Sequence, residues 1–178
     1  MEMALFEKIR CSHYANFISF AIWNDDNINN LSVIEENIEN LNQNIIIVGL
    51  NISRGVNKFQ NFHVKHQGGR DSWLKDAFNN GCFRGAYMTD IIKNDVSPRQ
   101  LLVDLSMENI IKNIKEFKEE LNFIECRNPY IIAIGDETAR ILQQYLPEYA
   151  ENIHSIPHYA KRGITKKEFA ESIKKLKK

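Results

Sequence analysis

The run Asn44-Ile45-Ile46-Ile47-Val48-Gly49-Leu50-Asn51, followed by Ile52-Ser53-Arg54-Gly55, decides the fold class. Four consecutive β-branched residues give neither a helical nor an alternating pattern. They read as a strand buried on both faces, as in the middle of a parallel sheet. The run breaks at a glycine and an amide. The strand therefore delivers Asn51 to the carboxyl edge of the sheet, where open α/β sheets bind their ligands.

Upstream, residues 3–13 read as a helix with Leu5, Phe6 and Ile9 on one side, and residues 16–23 as a strand from their aromatic and β-branched content. Ser32 and Glu35 have the spacing of a capping box ahead of Ile34, Ile38 and Leu41, which predicts a helix over 32–41. Downstream, residues 52–70 read as a long irregular segment, a length usually reserved for functional loops. Asp71 is placed to cap a helix through Asn80, with Trp73, Leu74, Ala77 and Phe78 inward and Gly81 ending it. Residues 83–92 read as a strand. Ser106 caps a helix that repeats Ile110, Ile114, Phe117 and Leu121 on one face. Tyr130–Ile134 is a second buried strand, Asp136 opens a helix carrying Ala139 and Leu142, and residues 152–156 form a short strand. Thr165 and Glu168 box a last helix whose Phe169, Ile173 and Leu176 face the core. This alternation predicts one α/β domain over 1–178, a three-layer α/β/α arrangement with a mostly parallel central sheet.

At 178 residues the chain is long enough for a substantial core, and its 43% hydrophobic content is ordinary. No apolar run reaches the length of a membrane span and no signal-peptide pattern opens the sequence, so no membrane partner and a cytoplasmic location are expected. Cys11, Cys82 and Cys126 are widely spaced and belong to no CxxC or Cys/His pair. They predict core thiols and no metal cluster, and no cofactor is called for. The 23 basic and 23 acidic residues balance, but unevenly: residues 161–178 carry eight lysines and arginines against two glutamates, a tail of +6. Such a tail can meet phosphate or simply be a solvated helix face.

Three spaced segments resemble the uracil-DNA glycosylase superfamily. Gly49-Leu50-Asn51 is similar to the strand-end motif of the mismatch-specific branch, Gly-Ile-Asn-Pro-Gly, and Asn61-Phe62-His63 followed by Arg70 to Lys75 resembles its Phe-Ala-His segment. Ala86-Tyr87-Met88-Thr89-Asp90-Ile91-Ile92-Lys93 resembles the Tyr-Ile-Thr-Asn-Val-Val-Lys strand of the thermostable branch. Ile156-Pro157-His158-Tyr159-Ala160 stands in place of His-Pro-Ser. The chain departs from the pattern at Ile52, Asp90 and Tyr159-Ala160, and lacks that branch's cluster-binding cysteines.

The resemblance implies hydrolysis of a base–sugar bond in DNA, with a flipped-out base in the pocket and without metal. It implies Asn51 and His158 as catalytic residues. Asn51 would orient water, being an amide that cannot act as a base, and His158 would donate from Nε2–H to the departing base. Gly49, Leu50, Phe62 and Asp90 would bind the base, Phe62 by stacking. Arg54, Arg70, Lys161 and Arg162 are candidates for the DNA backbone, and Ile164 is the nearest apolar side chain for a wedge. A turn-forming asparagine is the alternative for Asn51, and core packing is the alternative for Phe62 and Ile164. A non-catalytic nucleobase or nucleic-acid binder that kept the fold, or an α/β protein with an unrelated ligand, stays open beside the glycosylase.

Overall fold

The 44–51 run forms most of β2 (Asn42–Asn51), the central strand of a five-stranded sheet in the computed structural model. The structure describes residues 1–52, 57–63, 70, 72–94 and 102–176. The elements follow in the order α1 (Met3–Arg10), β1 (Ser19–Phe20), α2 (Ser32–Glu35), β2, α3 (Ser72–Phe78) and β3 (Ala86–Ile92). Then come α4 (Met107–Phe123), β4 (Tyr130–Ile134), α5 (Asp136–Tyr145), β5 (Ile153–Ile156) and α6 (Lys166–Lys174). The strand order is β1-β3-β2-β4-β5. β2 pairs in parallel with β3 and β4, β4 pairs in parallel with β5, and only β1 is antiparallel. The chain is thus α/β with a mostly parallel sheet.

The pleat divides the apolar strands between two cores. Ile46 and Val48 join α1, α2, α4 and α5 on one face, and Ile45 and Ile47 join α3 and α6 on the other. Ile45 through Val48 are all buried. At about 1.5–3 kcal/mol per buried side chain, these four residues contribute on the order of 6–12 kcal/mol of gross burial.

Helix ends follow the expected chemistry where the partners are close in sequence. Ser106 accepts from the Asn109 amide at the start of α4. Thr165 and Glu168 form a complete capping box at α6. The 32–41 segment does not form the expected helix. Ser32 donates its hydroxyl to Glu36 rather than capping, and the Asn37 amide donates to the Val33 carbonyl at 2.8 Å. That side chain competes with the backbone for its own acceptor. The result is one short turn, α2, and a 3₁₀ turn at Ile38–Asn40. The 16–23 segment likewise yields a 3₁₀ turn at His13–Asn16 and only two strand residues. A tight bond from the Ile22 amide to the Phe20 carbonyl bends the chain away after β1, although Ile18 through Trp23 are buried. Of the cysteines only Cys126 is a core thiol; Cys11 and Cys82 are exposed. The expected cap, Asp71, lies outside the described residues.

Gly85 joins these pieces. Its amide donates to the Ala21 carbonyl and its carbonyl accepts from the Asn42 amide, in a left-handed conformation with φ +79°. A Cβ there would overlap the Asn40 carbonyl oxygen and sit 3.2 Å from Leu41 Cα. Gly85→Ala is therefore expected to destabilise the fold by about 2–3 kcal/mol, from the backbone penalty and the crowding together. Urea unfolding should show a lower midpoint at unchanged slope. An unchanged midpoint would mean that the Asn40 turn relaxes freely.

Candidate functional site at the carboxyl edge

The chain passes from β2 to β3 on one side, then crosses to β4 on the other, so the strand order reverses at β2. Open sheets bind ligands beyond the carboxyl ends of the strands at such a point. Here those ends are Gly49 to Asn51, Asp90 to Ile92, Ile134-Gly135 and Ile156 to His158.

Gly49 pairs with Asp90 across β2 and β3. A Cβ at Gly49 would overlap Asp90 Oδ1 and stand 3.3 Å from Phe62 Cζ. The missing side chain is what lets the carboxylate and the aromatic ring meet over the strand. Phe62 is half-buried and packs against the core on the α3/α6 side, in a left-handed conformation with φ +64°. A non-glycine residue there costs of order 1 kcal/mol and is held by its surroundings. Three residues earlier, Phe59 at φ +58° stacks on Phe6 at 5.5 Å and anchors the segment.

Asp90 is 2% exposed, and its Oδ2 accepts from the Asn61 amide at 2.8 Å. The other hydrogen of that amide goes to the Phe17 carbonyl at 2.7 Å. Asn61 is thereby a buttress whose donors are both committed. Burial pushes the Asp90 carboxyl up to about 6, against the lowering pull of the Asn61 bond and of Lys93. At neutral pH it is mostly ionised and only accepts.

Asn51 ends β2, paired with Ile92, and its amide donates to the Ile52 carbonyl at 3.1 Å. At Leu50 only the backbone lies at this edge. The pleat turns its side chain to the opposite face, where it packs on the α1/α4/α5 core. His158 lies on the far side of β4, its Cβ 3.4 Å from where Gly135 would carry one. β4 intervenes between β2 and β5, and His158 comes over the end of β4 from the β5 side, whereas Asn51 stands at the end of β2. The His158 ring stacks on Tyr159 at 4.5 Å, and its Nδ1 accepts from the Ala160 amide at 3.0 Å. An Nδ1 that accepts in a neutral imidazole places the proton on Nε2, so the outer nitrogen is a donor.

The expected backbone contacts separate. Arg54 lies outside the described residues. Lys161 is exposed and pairs with Asp136 at 3.2 Å, a surface bridge worth about 0–1 kcal/mol that a phosphate could displace. Arg162 is exposed beside it. Arg70 is half-buried and makes contacts within the fold. Its Nη1 lies 3.2–3.4 Å from the carbonyl oxygens of Tyr159, Lys161 and Ile164. Ile164, the wedge candidate, packs half-buried on the α3/α6 core.

Four buried polar residues around the site have roles that no local pattern in the sequence indicated. Asn61 meets a partner 29 residues away. His63 is fully buried, stacks on Trp23 at 5.0 Å and bonds to the Phe20 carbonyl. Burial lowers it to about 4, so it is neutral and structural. Lys93 and Glu120 form a buried pair behind Asp90.

A cavity of about 420 Å³ lined by Asn122, Glu125, Cys126 and Arg127 lies at the opposite, amino end of the sheet, just before β4. Burial raises the Cys126 thiol to about 11, so it is no nucleophile at neutral pH. Among the described residues no cluster of three potential metal ligands occurs, and no helix is long and apolar enough to cross a membrane. No protein-family model matches the chain and no curated protein matches it either.

Proposed function

We propose that the chain is a DNA glycosylase-like hydrolase that cleaves the N-glycosidic bond of a damaged or deaminated base. The observation that supports it most is the meeting of a half-buried ring, Phe62, and a buried carboxylate, Asp90, over the bare strand at Gly49, with the His158 imidazole against Gly135 at the end of the neighbouring strand β4. Phe62 stacks on the extruded base, an interaction worth about 1–3 kcal/mol. Asp90 reads an N–H on its edge. His158 donates to the carbonyl oxygen on which charge builds as the bond to the sugar breaks. Asn51 holds the water that meets the oxocarbenium, and Lys161 and Arg162 face phosphate.

The test is incubation with oligonucleotides carrying uracil, hypoxanthine, xanthine or an alkylated purine, followed by alkali to reveal abasic sites. At least one lesion should yield strand breaks, and His158→Ala should slow them about a hundredfold, the loss expected for one well-placed donor. Base-selective binding without cleavage would instead make the chain a nucleobase-binding protein. The departures at Ile52, Asp90 and Tyr159-Ala160 favour that second reading, and Asn51 and His158 oppose it. Neither cleavage nor base-selective binding on any lesion would end both.

A further inference from the structure

We propose that Arg70 is the residue that positions His158, by gathering the carbonyls of the loop after β5 so that the imidazole keeps its Nε2–H form. This rests on reading His158 as the donor to the departing base.

The loop from Pro157 to Ile164 has no ladder. It is built from two short turns, Lys161 amide to His158 carbonyl at 2.9 Å and Ile164 amide to Lys161 carbonyl at 3.3 Å, with Gly163 left-handed at φ +86°. Such a path leaves the half-buried Tyr159 and Ile164 carbonyls outside any ladder, and a half-buried carbonyl needs a donor. Arg70 supplies it. Its Nη1 stands 3.4 Å from the Tyr159 oxygen, 3.2 Å from Lys161 and 3.3 Å from Ile164. The guanidinium lies 4.7 Å over the Trp73 ring, which fixes its plane. A planar, delocalised cation can stack and donate at once; an ammonium cannot do both.

An aromatic chain closes the circuit from the other side. Trp73 contacts Phe169 of α6 at 6.4 Å, Phe169 meets Tyr159 edge-on at 6.1 Å, and Tyr159 stacks on His158 at 4.5 Å. Tyr159 is therefore gripped twice, by its carbonyl and by its ring. The Ala160 amide that donates to His158 Nδ1 belongs to the same peptide unit as the Tyr159 carbonyl, which faces Arg70 at 3.4 Å, and the Lys161 carbonyl follows at 3.2 Å. When those carbonyls are released, the Ala160 amide is free to turn away and Nδ1 loses its donor. Nδ1 can then carry the proton itself, and Nε2 becomes an acceptor for part of the time. An acceptor cannot stabilise a departing base anion.

The experiment is NMR of the full chain, comparing the native protein with Arg70→Lys and Arg70→Ala. The native protein should show His158 ring nitrogens of the pure Nε2–H tautomer at neutral pH and a protected Ala160 amide. Both variants should accelerate Ala160 exchange by about tenfold or more, the loss of roughly one net hydrogen bond, and pull the ring nitrogens toward an average of the two tautomers. Amides of Ile131 to Ala133 in the sheet should stay protected. Arg70→Lys keeps the charge, so it carries the comparison if the alanine variant unfolds. Unchanged Ala160 and His158 signals in Arg70→Lys would overturn the proposal. The same result together with a flatter salt dependence of DNA binding in Arg70→Ala would make Arg70 a phosphate contact instead. The expected signals in a protein that cleaves no oligonucleotide would leave the Arg70 assignment standing and remove the glycosylase reading.

Discussion

Glu120→Ala is expected to destabilise the chain by about 3–5 kcal/mol, the usual cost of orphaning a buried partner charge. Glu120 is completely buried on α4, 2.8 Å from Lys93 Nζ, whose side chain is 1% exposed. The Tyr87 hydroxyl donates to the other carboxylate oxygen at 2.8 Å. Burial first, and Glu120 second, hold that phenol well above its ordinary range. Truncating Glu120 leaves an ammonium 5.5 Å from the Phe117 ring without its ion-pair partner, and a phenol without its acceptor. The apolar replacement of the whole cluster, Tyr87→Phe with Lys93→Met and Glu120→Leu, should recover most of the loss, because desolvation of the pair offsets much of its attraction. Thermal and urea unfolding of both variants check this. A single variant that unfolds like the native protein would show that water reaches Lys93.

Asp90→Asn is expected to stabilise the protein at neutral pH and to change which base it prefers. The shift from the ordinary 3.8 to about 6 means that the fold favours the protonated carboxyl. Between those values the folded state holds a proton that the unfolded state has released. Stability contributed by Asp90 is therefore full below about pH 4 and lost as pH rises to about 6, a loss of about 3 kcal/mol at 1.36 kcal/mol per unit. His63 has the opposite sign. Lowered from 6.5 to about 4, it stays neutral in the fold while the unfolded state takes a proton, so its stability is lost as pH falls through that window. The two slopes oppose each other between about pH 4 and 6 in the native chain. In Asp90→Asn the Asp90 slope is gone and that of His63 remains, so the gain over native should be about 3 kcal/mol at pH 7 and should fade on acidification. A gain independent of pH would show that Asp90 is not buried as a charge.

The same substitution bears on specificity. With Oδ2 taken by Asn61, the carboxylate offers the base one acceptor, Oδ1. A base that presents an amino group or a ring N–H there is matched, whereas a carbonyl such as uracil O4 is opposed. An asparagine can also donate to that carbonyl. Cleavage or binding of uracil should therefore improve relative to hypoxanthine by roughly ten- to a hundredfold in Asp90→Asn, the range of one misplaced buried polar contact. An unchanged preference would mean that Asp90 does not read the base.

What the sequence determined by itself is what neighbours in sequence decide. The β-branched runs of β2 and β4 can be buried only as central strands, and the Ser106 cap and the Thr165–Glu168 box join groups three residues apart. Those suffice for an α/β class and for placing Asn51, Asp90 and His158 at strand ends. The tertiary structure decided the rest, because the deciding contacts are distant or compete locally. Asn37 breaks a periodic helix by taking the Val33 carbonyl, and the 16–23 run bends after two paired residues. Asn61 reaches Asp90 across 29 residues, and Arg70 reaches the His158 loop across about 90. In the sequence Arg70 was one more cation for phosphate and Leu50 one more motif residue. Only the packing of Trp73 under the guanidinium, and the pleat that turns Leu50 to the other core, gave each its place.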